Sequence, residues 1–90
     1  MKYITADGFW RSFNGLPLRI QKAANEKFKF FVEDPRHPSL RTEKMEGKEG
    51  IFEGHITMLY VFTFRYNIRG GETVIESLDI GKHDEVYSRT

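Results

Sequence analysis

The chain has 90 residues, 39% of them hydrophobic and 30% charged, with a net charge of +1 and no cysteine. This fits one folded domain over residues 1–90, able to bury about 60–65% of its unfolded surface. It excludes disulfides, thiol nucleophiles and thiolate metal sites, offers no apolar run near the ~20 residues a bilayer needs, and makes a reducing cytoplasm the expected setting.

In chain order, "KYITA" reads as a short strand. Asp7 is placed to cap a short helix through Phe13, and Asn14-Gly15 can end it because both tolerate positive φ. Pro17 stands where a first-turn proline belongs. Beyond it, Leu16, Ile20, Ala24, Phe28 and Phe31 recur at three- and four-residue spacing, with Arg19, Lys22, Glu26 and Lys29 largely opposite. This is an amphipathic helix, ended near Asp34-Pro35 by proline's restriction of the preceding residue.

After Pro38 the period changes to two. In "YVFTFRYNI" the residues Tyr60, Phe62, Phe64, Tyr66 and Ile68 alternate with Val61, Thr63, Arg65 and Asn67. Its partner "TVIESLDI" follows a glycine turn. An odd-length loop is expected there, because it sets Phe64 against Leu78, Phe62 against Ile80 and Ile68 against Val74. Upstream, a Met58–Tyr60 loop would set Ile56 against Phe62 and Phe52 against Tyr66. His55 would then lie beside Thr63, and Glu53 beside Arg65. The expected class is α+β: an N-terminal strand and two helices packed on an antiparallel meander, with the other sheet face polar.

Among groups able to do chemistry, His83 in the closing segment "SLDIGKHDEVYSRT" stands out, since an imidazole exchanges protons near neutral pH. On spacing alone, however, a solvated surface histidine fits it better. His55 lies mid-strand on the polar face and equally suits a half-buried histidine bonded to Thr63. His37, in "DPRHPSL", reads as structural. Separations of 18 and 28 residues between the three histidines match no metal-ligand motif, so no metal site is expected. Tyr87 can stack on a base or cover the core edge. Arg41, Lys44, Lys48 and Lys82 can contact phosphates. Glu43, Glu46 and Glu49 interleave with the first three, which favours a mixed solvated segment for Lys48. Arg65 has Glu53 as its expected structural partner.

The progression "LPLRIQKAANEKFKFFVEDPRHPSLRTEKMEGKEGIFEGHITMLYVFTF…GGETVIESLDIGKHDEVY" resembles the RelE/ParE superfamily of toxins from type II toxin–antitoxin systems, over nearly the whole chain. The resemblance implies a RelE-like fold and ribosome-dependent cleavage of mRNA, with the 2′-hydroxyl as nucleophile and no metal or other cofactor. It also implies a cognate antitoxin, the ribosome and mRNA as partners, and no membrane. Carried over by position, it implies catalytic roles for His83, His55 and Tyr87, His55 falling where the YafQ-like branch has a histidine. Arg41, Lys44, Arg65 and Lys82 are then the RNA-binding cations. Val61 stands where many members have arginine, so one of those four substitutes, or the nuclease is weak or absent. The alternatives are a ParE-like toxin acting on DNA gyrase and an inactive antitoxin-binding module.

Overall fold

The elements of the computed structural model, which describes residues 2–90, alternate as the sequence periods require. They are β1 (Lys2–Thr5), α1 (Phe9–Asn14), α2 (Leu18–Glu33), a 3₁₀ turn (Pro38–Leu40), β2 (Glu43–Lys44), β3 (Phe52–His55), β4 (Tyr60–Arg69), β5 (Glu72–Lys82) and α3 (His83–Arg89). The strands form one sheet in the order β1-β5-β4-β3-β2. β1 runs parallel to β5, and the other neighbours are antiparallel. Among the described residues, no helix is long and apolar enough to cross a membrane.

The main core lies between the sheet and the first two helices. Ile20, Ala24 and Phe31 of α2 are buried against Phe62, Phe64, Ile75 and Ile80, with Phe9 and Phe13 of α1 closing one end. The Phe31 ring sits 5.0 Å from Phe62 and 4.9 Å from Phe64, both edge-on, and Phe28 meets Phe62 at 5.4 Å. Edge-to-face contact of this kind adds to the area term in burying aromatic rings. Tyr3 Oη donates to the Phe31 carbonyl at 2.9 Å and so ties β1 to α2.

The helix starts differ from the sequence reading. Gly8, not Asp7, holds the cap position of α1, in a left-handed conformation with φ 90° and no side-chain cap. The helix does end at Asn14, but Gly15 stays right-handed, at φ −82°. Pro17 occupies the cap position itself, and its carbonyl accepts from Ile20 and Gln21 at 2.9 and 3.0 Å.

The β4–β5 hairpin combines two registers. Gly70 and Gly71, at φ 57° and 78°, form a two-residue turn between Arg69 and Glu72 rather than an odd-length loop. Positive φ at both positions is what a type I′ hairpin needs. Near the turn this sets Ile68 opposite Thr73 and Phe64 opposite Ser77, correcting the pairings expected with Val74 and Leu78. A bulge then absorbs Leu78, so that Phe62 faces Ile80 as the apolar match requires. The turn obeys its glycines and the core obeys its phenylalanines, with one extra residue reconciling them.

Upstream, Phe52 pairs with Phe64, Glu53 with Thr63 and His55 with Val61. The loop therefore covers residues 56–59, and Tyr60 is buried in β4 instead of forming the tip. The register differs from expectation by two residues, which leaves every side chain on its expected face. On the face away from α1 and α2, Val61, Met45 and Val86 form a second small core. Val86 belongs to α3, a helix absent from the sequence reading of the tail.

Candidate functional site

Three elements meet beside that second core. β3 presents Glu53 and His55, two residues apart and hence on one face. β2 sets Glu43 opposite Glu53. α3 begins at His83, whose backbone N–H donates to the Leu59 carbonyl at 3.0 Å. Tyr87 follows one helical turn later, its ring stacked on His83 with centroids 6.2 Å apart. Glu43, Lys44, Glu46, Glu53, His83 and Tyr87 line a groove of about 540 Å³.

His83 Nε2 lies 3.2 Å from Glu53 Oε2, and its Nδ1 lies 3.5 Å from Asp84, a fully solvated carboxylate. The Glu53 side chain is only 7% exposed. Burial pushes its carboxyl above the usual range; His83 and His55 oppose that shift, and Glu43 adds to it. His55 Nε2 meets Glu43 Oε1 at 3.3 Å, and its Nδ1 is buried without a partner. Lys48 Nζ sits 4.8 Å over the Tyr87 ring and donates to the Thr90 carbonyl at 3.2 Å. This contact holds the aromatic in place through a cation–π attraction.

A half-buried imidazole with one nitrogen on a buried carboxylate and the other toward solvent is a proton-transfer arrangement. Nε2 faces Glu53 Oε2 at ion-pair distance without a hydrogen bond between them, and Nδ1 faces the solvated Asp84. The same groove holds a cation and a flat aromatic, the two features a phosphate and a base require.

The residues expected from sequence divide accordingly. His83, His55 and Tyr87 converge on the Glu53 region, and Lys44 lines the groove. Lys82 lines a different cavity with Leu16, Pro17, Tyr60 and Glu85. Arg65 donates to Glu76 at 2.8 Å, not to Glu53, and lines a third cavity with Asp79 and Arg89. Arg41 ends the 3₁₀ turn in a left-handed conformation, φ 48°, outside the groove lining. Val61 is fully buried among Met45 and Val86, so its position holds core rather than an anion contact.

Sequence reasoning assigned Glu53 to Arg65 and read Glu43 and Lys48 as a mixed solvated segment, so it did not place them here. The His83–Tyr87 spacing of four was the available signal, since it puts both on one helical face. Nothing in histidine spacing registers the cross-strand grouping of Glu43, Glu53 and His55, whose ligand-capable atoms all lie within 4.8 Å of one another.

No protein-family model matches the chain, and no curated protein matches it by sequence. Solved structures do match. The YoeB/ParE toxin from Agrobacterium tumefaciens is 20% identical, with 92% of this chain and 99% of that one covered at a TM-score of 0.71. YafQ from E. coli is 7% identical, with 94% and 96% covered at 0.74. The archaeal RelE–RelB complex from Pyrococcus horikoshii is 14% identical, with 90% and 92% covered at 0.65. The chain has the fold of the RelE/ParE toxins.

Proposed function

We propose that this protein is the toxin of a type II toxin–antitoxin system, a ribosome-dependent endoribonuclease that cuts mRNA and stops translation. The observation that carries this reading is His83 held on buried Glu53 in a groove shared with Tyr87 and Lys44. Likeness of fold to the RelE, YoeB and YafQ toxins supports it.

In this reading the 2′-hydroxyl of the RNA attacks the neighbouring phosphorus. His83 Nδ1 takes the hydroxyl proton, or hands one to the leaving 5′ oxygen, while Glu53 fixes the ring. Lys44 meets the developing negative charge on the phosphate, and Tyr87 stacks on the base next to the cut. His55, tied to Glu43, assists by shaping the field around Glu53. No step requires a metal ion.

A cognate antitoxin is the proposed partner. The archaeal neighbour was crystallised as a RelE–RelB complex. Here Met58 and Leu59 are exposed at the β3–β4 loop, as are Trp10, Leu18 and Val32 on the helices, which leaves apolar surface for a partner to cover.

A second reading, a ParE-like toxin acting on DNA gyrase, is favoured by Val61, which removes an arginine common in the nucleases. One experiment separates the two: cell-free translation with wild-type protein and His83→Ala. The nuclease reading expects arrest with cut mRNA for the wild type and a loss of about 10²–10⁴-fold in the variant. Arrest without mRNA cuts, or a fully active His83→Ala, would remove it, and gyrase-linked DNA breaks would install the second reading.

A further inference from the structure

Glu43 and Glu53 face each other across the β2–β3 pairing, and His55 stands two residues beyond Glu53 on the same face. One donor atom from each lies within 4.8 Å of the other two. The contact between His55 Nε2 and Glu43 Oε1 measures 3.3 Å. Ligand atoms held tetrahedrally at zinc distances sit roughly 3.3 Å apart. The pair is therefore already at coordination spacing.

A second observation points to a ligand. Glu53 is 5% exposed, and its Oε2 makes no hydrogen bond within the protein. Its nearest counter-group is the His83 imidazole at 3.2 Å. Directly across β3–β4 from Glu53, Thr63 is fully buried and its hydroxyl is likewise without a partner. The groups facing these two carboxyls are the imidazoles of His55 and His83, and a cation held among them would balance the same charges with the imidazoles neutral.

We propose that Glu43, Glu53 and His55 bind one divalent transition-metal ion of the zinc class. One imidazole and two carboxylates suit such an ion, whereas calcium and magnesium prefer shells built from oxygen alone. Three protein ligands leave a position open to water or to the neighbouring His83. The ion takes up the Glu53 carboxylate that otherwise steadies His83, so it silences the nuclease. That consequence rests on the proposed function; binding itself does not.

The test is calorimetric titration of chelator-stripped protein with zinc chloride, with cobalt(II) absorption as a second readout. One zinc per chain is expected, with visible ligand-field bands for cobalt and no competition from magnesium. Glu43→Gln and His55→Ala each weaken binding by at least about tenfold, and His37→Ala leaves it unchanged. Glu43 is exposed on an edge strand, so its variant keeps the fold, which circular dichroism verifies. No stoichiometric binding, or affinity unchanged in both ligand variants, overturns the site. Stoichiometric zinc binding by a protein that never arrests translation upholds the site and removes only the nuclease reading.

Discussion

His83 Nε2 and Glu53 Oε2, 3.2 Å apart, join the first residue of α3 to the middle of the sheet. Because burial raises the Glu53 carboxyl, the folded state holds its proton more tightly than the unfolded chain does. The stability gained from that proton is present below the ordinary carboxylate range and is lost as pH rises through the raised value. Above that raised value the ionised Glu53 therefore costs stability. Glu53→Gln, measured in chelator, should melt higher than wild type at pH about 8, with the gap closing toward pH about 4. Parallel melting curves across that range, or a less stable variant at pH about 8, would contradict this account.

Phe62 lies over Gly54, its cross-strand partner, so closely that an added Cβ would stand 2.6 Å from the ring. Phe62 is fully buried between Phe28 and Phe31 and cannot swing aside. Gly54→Ala should cost about 1–3 kcal/mol through overpacking. Chemical denaturation measures it, and a variant as stable as wild type would show that the ring has room to move.

Phe64 should behave oppositely, as a cavity rather than a clash. It is fully buried and touches Phe31, Phe52 and Phe62. Phe64→Ala should lose about 3–5 kcal/mol, a large part of a small domain's stability. An unchanged thermal midpoint would overturn the placement of the core.

Much of this was legible in the residues, and what was not has physical causes. The alternation through Phe62 and Phe64 and the helical stripe through Ile20, Ala24 and Phe31 reveal the main core, because burial acts on periodicity directly. The β3–β4 register is off by two residues yet keeps its faces, since periodicity fixes parity and not alignment. The Leu78 bulge is hidden because the apolar match alone argues for an odd-length loop, although a two-residue glycine turn with one inserted residue satisfies the same match at Phe62. Glu43 escaped because a two-residue strand carries no readable period. α3 was hidden by its length, and with it the geometry that brings His83 and Tyr87 to Glu53.

That short helix sets the last prediction. Seven residues, His83–Arg89, are too few to hold a helix unaided. Val86 anchors one side of α3 in the second core, and Arg89 anchors its last turn by a two-pronged contact with Asp79 at 2.8 and 3.3 Å. The pair is half exposed on the arginine side, so Arg89→Ala should cost no more than about 1 kcal/mol of global stability. Its local effect should be larger, because the same helix carries His83 and Tyr87. Faster amide exchange is expected across Val86–Thr90, together with weaker translation arrest than this small stability loss explains. Arg89→Lys should restore only part of the protection, since an ammonium cannot reproduce the paired contact. Exchange rates in α3 identical to wild type would mean that Val86 alone positions the site.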